Sequence, residues 1–194
     1  MLIYPKSLAG VTLIELMIAV AIVGILLMAG LPEASNWIQN TKIRTASESI
    51  SNGLQLARAE AVRRNTQVEF VLTSTVPIAA NTPALAPATS GPYWVVRKFQ
   101  TGGYTVADFV QGGGNEVTAS SAVVSGSGDN VVFDGLGRTD LAAGALTIQV
   151  TNPTGGVCVA VSGPMRCLNV VVQPGGQIRM CDPAIATAGD TRKC

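Results

Sequence analysis

The polar and apolar positions along the first third of the chain fall into three regimes. Residues 1–10, MLIYPKSLAG, form a short mixed stretch with one basic residue, Lys6. Val11 to Leu31 is an apolar run whose one charge is Glu15, and the next charge along the chain is Glu33. As a helix rising about 1.5 Å per residue this run spans roughly 31 Å, close to the hydrocarbon thickness of a bilayer. It is longer than the apolar core of a secretory signal, about 7 to 15 residues. Past Pro32, which predicts a break in the helical ladder at Met28, the residues Ile43, Ala46, Ile50, Leu54, Ala57 and Ala61 recur at three- and four-residue steps. That spacing predicts the apolar stripe of an amphipathic helix ending near Asn65, with Glu60 and Arg64 paired one turn apart.

The period then changes to two. Val68, Phe70 and Leu72 alternate with Gln67, Glu69 and Thr73, which predicts a half-buried strand. Ser74 to Pro92 is rich in Pro, Ala and Thr and reads as an exposed loop. YWVVRKF, NVVFDGL, ALTIQV, GVCVAV and CLNVVV read as strands separated by Gly, Asn and Pro, so the C-terminal part is expected to be an antiparallel β domain. QGGG at Gln111 to Gly114 lacks the strand-to-helix context of a phosphate loop and reads as a turn. The expected organisation is α+β: 1–10, a membrane helix 11–31, an amphipathic helix 32–65 and a β domain 66–194.

Composition narrows the function. Charged residues make up 13% of the chain, about half the usual share, while 47% is hydrophobic, with 21 Gly and 10 Pro. A net charge of +1 offers no global field for nucleic acid or acidic lipid. The absence of histidine removes the commonest general base and metal ligand together. No G-x-S-x-G, Walker loop or calcium loop is present, and Asp134 and Asp140, which flank GLGRT, suit a polar hairpin loop. The expectation is no enzyme, no cofactor and no metal site.

The four cysteines, Cys158, Cys167, Cys181 and Cys194, contain no C-x-x-C pair, which favours two disulfides over zinc and places this part of the chain in an oxidising compartment. Three pairings are open. The favoured one joins Cys158 to Cys167 and Cys181 to Cys194, because each closes a short local loop.

MLIYPKSLAG followed by VTLIELMIAV resembles the class III signal of type IV pilins and type II secretion pseudopilins. The resemblance implies a type IV pilin-like fold and cleavage by a prepilin peptidase between Gly10 and Val11, with N-methylation of the new terminus. Val11 stands where the family usually has Phe. Gly24 and Pro32 match the family's helix-loosening positions. LARAEAVRRN, VVFDGLGRTD and GGQIRMCDP are similar to segments of the GspH and FimT branch.

A carboxylate inside an apolar segment costs about 2.5 to 3.5 kcal/mol at a membrane helix's centre and is by default a functional residue. The resemblance implies that Glu15 pairs with the positive terminus of a neighbouring subunit on assembly. The implied partners are other pilins, the prepilin peptidase, an inner-membrane assembly platform and inner-membrane lipid, with the β domain in the periplasm. The implied role is a minor pilin that primes or caps a type IV pilus, or alternatively a type II secretion pseudopilin. A DNA-receptor role would use a basic Gly-Arg-x-Arg motif; here Gln177 replaces the first arginine, leaving Arg179 with Arg166, Arg192 and Lys193 as candidate phosphate contacts.

Overall fold

The computed structural model of the chain describes residues 10–114, 122–142 and 144–194, and within the first helix the side chains of 27–33 lie outside the description. The 1–9 part of the expected leader is likewise outside the described residues. By contact the chain divides into a unit ending at Ser35 and a second unit, Asn36–Cys194.

Helix α1 runs Leu13–Arg64. The helical backbone continues through Gly24 and Pro32, so the break expected at Met28 does not occur. Proline removes one bond of the ladder, and the turns on either side keep the helical conformation. In the first unit the described apolar side chains, Leu13 to Leu26, are exposed. Among the described residues no helix is long and apolar enough to cross a membrane; the run Val11–Leu31 continues into positions whose side chains are not described.

In the second unit α1 carries its apolar stripe into a core. Ile43, Ala46, Ile50, Leu54, Ala57 and Ala61 are all buried. The helix ends in a left-handed residue, Asn65 (φ 49°), a position where asparagine is tolerated better than most side chains. The strands that follow are β1 (Val68–Thr73), β2 (Tyr93–Lys98), β3 (Phe109–Gly114), β4 (Val123–Gly126), β5 (Asn130–Phe133), β6 (Leu146–Thr151), β7 (Leu168–Val172) and β8 (Ile178–Cys181). They form two four-stranded antiparallel sheets, β3-β2-β1-β5 and β4-β6-β7-β8. Both sheets close on the helix stripe through Phe70, Trp94, Phe133, Ile148 and Val170.

Four local readings change. First, β1 is buried on both faces rather than one, because the segment expected to be an exposed loop folds back over it. Ala79–Ala84 forms a 3-10 turn that buries Thr82, and the following Leu85 packs with Val71 and Val95. Second, Glu69 therefore does not face water: it pairs with Arg97, its cross-strand partner, and the two are 1% and 2% exposed. Arg97 also donates to the carbonyls of Thr82 and Leu85 at 3.4 and 3.3 Å, which ties the covering loop down.

Third, QGGG is the strand β3. A Cβ added at Gly113 would lie 2.2 Å from the Trp94 ring, and one at Gly53 of α1 would lie 2.9 Å from it, so the indole fills space that only glycines leave open. Trp94 Nε1 donates to Ser49 Oγ at 3.1 Å, and its ring stacks on Phe70 with centroids 5.8 Å apart. Fourth, GVCVAV is not a strand. Val159–Val161 form a 3-10 turn that ends at left-handed Ser162 (φ 66°), and the Cys158–Cys167 disulfide closes the segment on itself.

Candidate functional site

The head of α1 is built by a local exchange. Thr12 precedes the first helical residue, and its backbone N–H donates to Glu15 Oε2 at 3.5 Å while the Glu15 N–H donates to Thr12 Oγ1 at 3.3 Å. This is a capping box, which satisfies helix donors that have no intrahelical partner. Glu15 thus has a structural role in the unassembled chain that the sequence reading did not include, and the T-x-x-E spacing was its signal. The carboxylate sits at the positive end of the helix dipole and keeps acceptor capacity beyond this one backbone bond. Gly10 and Val11, the expected cleavage junction, lie just ahead of it and are exposed.

At the other end of the chain the cysteines pair as Cys158–Cys167 and Cys181–Cys194. The second disulfide folds the tail back along β8, where Asp182 and Lys193 form an isolated parallel bridge. The four candidate phosphate contacts are all engaged within the chain. Arg179 Nη1 donates to the Lys193 carbonyl at 2.9 Å, and Lys193 Nζ donates to the Ala186 carbonyl at 3.2 Å. Arg166 Nε donates to buried Asp182 at 2.9 Å. Arg192 grips Asp190 through Nε and Nη2 at 3.1 and 2.8 Å, and these bonds hold the Asp190 carboxyl down at about 2.

Of these four, Arg166 and Arg192 line one groove of about 610 Å³ together with Trp37, Arg44 and Met180, whereas Arg179 is not among its lining residues. The groove was not foreseen from sequence. Its signal was an aromatic residue, Trp37, shortly after the apolar run, followed by Lys42 and Arg44. Elsewhere on α1, Arg63 and Arg64 both pair with Glu60, at 2.7 and 2.6 Å, and the hydrogen bond from Arg63 leads in lowering the Glu60 pKa.

The acidic pair around GLGRT is structural. Asp134 Oδ1 accepts from the backbone N–H groups of Leu136 and Arg138, both at 2.9 Å, and Asp140 Oδ1 accepts from Val132 N–H at 3.1 Å. Among the described residues no group of three His, Cys, Asp or Glu side chains stands where it could hold a metal ion.

The comparisons with known proteins bear on both ends. The family model for the type II transport protein GspH matches residues 46–176, and the prokaryotic N-terminal methylation motif matches residues 6–31. Two crystal structures of the type IV minor pilin FimU of Pseudomonas aeruginosa (strain PAO1) share the fold. The form in space group P21 superposes with a TM-score of 0.55 at 13% identity, covering 78% of this chain and 97% of that one. The P65 form gives 0.51 at 13%, covering 75% and 97%. No curated protein matches the sequence. The α+β arrangement of a long N-terminal helix and antiparallel sheets is therefore the type IV pilin fold.

Proposed function

The chain belongs to the GspH family, and from that premise we propose that it is a filament subunit, a minor pilin or pseudopilin, that assembles through the head of α1. The observation that carries the proposal is the pairing of an acid with a helix start amid exposed apolar side chains. Glu15 is fixed by Thr12 one turn from the Gly10–Val11 junction, and the described apolar residues that follow have no cover within the chain.

In this reading a prepilin peptidase releases residues 1–10, and Val11 becomes a methylated, cationic terminus. Before assembly the run Val11–Leu31 anchors the chain in the inner membrane, with the disulfide-bonded unit on the oxidising, periplasmic side. During assembly the Glu15 carboxylate takes the terminal cation of a neighbouring subunit. Charge pairing in a low-dielectric helix bundle is strong where it is satisfied and costly where it is not, so it fixes register.

The same chemistry serves a type IV pilus and a type II secretion pseudopilus. Likeness to the fold of FimU favours the pilus reading, in which the unit Asn36–Cys194 primes or caps the filament. A separate DNA-receptor role is not favoured, because Arg179 is not among the residues lining the groove that Arg166 and Arg192 share, and Gln177 stands where the motif's first arginine would be. The test is Glu15→Ala beside Gly10→Ala in the native host, reading the chain's recovery in sheared filaments. Loss from filaments with retention in membranes supports the proposal; recovery of both variants at the wild-type level refutes it.

A further inference from the structure

Unit Asn36–Cys194 exposes apolar side chains that its own core does not need. Trp37 is 70% exposed and Ile38 49%, although both lie on a helix that enters the core at Ile43. Val157 and, within the Cys158–Cys167 disulfide loop, Val159 and Val161 add to this surface, the last 67% exposed. This loop is held against the same turn of helix. Asn152 Nδ2 donates to Gln39 Oε1 at 2.8 Å, and the Arg166 N–H donates to Asn40 Oδ1 at 2.7 Å. The exposed valines and the exposed Trp-Ile pair are thus brought to one end of the unit by polar ties at Gln39 and Asn40, the residues immediately after the pair.

Arginines border the Trp37 groove. Arg44, Arg166 and Arg192 line it, with side chains 75%, 63% and 70% exposed, and each uses only part of its five-donor fork on a carboxylate partner. An apolar surface edged by arginine, with a tryptophan between, matches the chemistry of a bilayer interface, where aromatic rings sit at headgroup level and guanidinium groups meet phosphates. Trp37 also stands six residues after Leu31 in the chain.

We propose that this surface is a second membrane contact, in which Trp37, Ile38 and the valines of the Cys158–Cys167 loop seat in the phospholipid interface while Arg44, Arg166 and Arg192 meet headgroup phosphates. The inference rests on the membrane anchor proposed above and deepens it. A nucleic-acid backbone would supply phosphates for the arginines but nothing for three exposed valines, so lipid is the occupant that accounts for both halves of the surface. The first disulfide then has a functional consequence: it shapes the loop that presents the valines. The contact would hold the folded unit against the membrane until extraction, when the subunit must surrender it.

The full chain is reconstituted into phosphatidylcholine–phosphatidylglycerol vesicles with and without shallow bromination of the acyl chains, and its tryptophan emission is compared. Trp37 is the exposed fluorophore; Trp94 is in the core. Flotation after an alkaline wash reads the anchor separately. The proposal expects floating protein whose emission is lost to brominated lipid, a loss that disappears in Trp37→Phe and shrinks in the double variant Val159→Ser/Val161→Ser. Floating protein with equal emission in both vesicles overturns the second contact and leaves the anchor standing. Shielding of Trp37 that follows protein density rather than bromination assigns the surface to another copy of the chain, and likewise overturns it. Failure to float removes the anchor and this inference together.

Discussion

Thr12 and Glu15 satisfy one another at the start of α1, each backbone N–H donating to the other's side chain at 3.5 and 3.3 Å. The carboxylate proposed to take a neighbour's terminus is therefore oriented within the unassembled chain. Two roles can be separated by substitution. Glu15→Gln keeps an acceptor for the Thr12 N–H but loses the charge, so it should retain the helix start and still fail to enter filaments. Thr12→Ala should cost about 1 kcal/mol at the cap and leave assembly largely intact. Recovery in sheared filaments, read beside helix content by circular dichroism, checks both.

The buried pair Glu69–Arg97 predicts a lopsided mutational response. Arg97→Met alone leaves a carboxylate in the covered face of the sheet and releases the carbonyls of Thr82 and Leu85, and it should destabilise by about 3 to 5 kcal/mol. Glu69→Leu combined with Arg97→Met should recover much of that loss, because an apolar pair of similar volume removes both desolvation costs. Chemical denaturation of the two variants in detergent gives the comparison.

Gly53 predicts that a better helix former makes a worse protein. Alanine in mid-helix ordinarily gains about 1 kcal/mol over glycine. Here the new methyl group would lie 2.9 Å from three atoms of the Trp94 ring, which is itself held by Ser49 and pressed against β3. Overpacking of this kind costs about 1 to 3 kcal/mol, so Gly53→Ala should lower the denaturation midpoint. A raised midpoint would show that the indole can move aside.

Stability should fall at both extremes of pH for identifiable reasons. Tyr104, whose ring lies 3.5 Å beneath the Arg97 guanidinium, has its pKa pushed up to about 12, first by burial and then by its hydrogen bond to Glu69. The folded chain holds this proton more tightly than the unfolded chain, whose tyrosines titrate near about 10. The resulting stability is complete below the unfolded value and is lost as pH rises toward 12. Asp108 acts in the opposite direction. The Thr105 backbone N–H leads in lowering its pKa, so its contribution is present above the ordinary carboxylate range and fades as pH falls through the lowered value. Tyr104→Phe should flatten the alkaline limb of a denaturation–pH profile and leave the acid limb unchanged.

Much of the helix was legible because burial follows a simple period. The stripe from Ile43 to Ala61 could be placed from spacing alone, and so could the strands at YWVVRK, NVVF, LTIQV and LNVVV, which are rich in β-branched and aromatic residues. The misreadings share one cause, a long-range partner invisible to a local window. QGGG is a strand because Gly113 leaves room for Trp94; Glu69 is buried because a proline-rich segment returns over it; GVCVAV turns because a disulfide closes it. At the candidate site, the N-terminal methylation motif over residues 6–31 was legible. The groove at Trp37 was not, since it draws α1 together with β7, β8 and the tail across more than a hundred residues.

The central claim is that a new amino terminus at Val11 meets the Glu15 carboxylate of an adjoining subunit. Intact-mass spectrometry of the chain recovered from sheared filaments tests it most directly. The account predicts a polypeptide that begins at Val11, carries one N-terminal methyl group and retains both disulfides. A filament-borne chain with residues 1–10 still attached, or one cut downstream of Glu15, would contradict it.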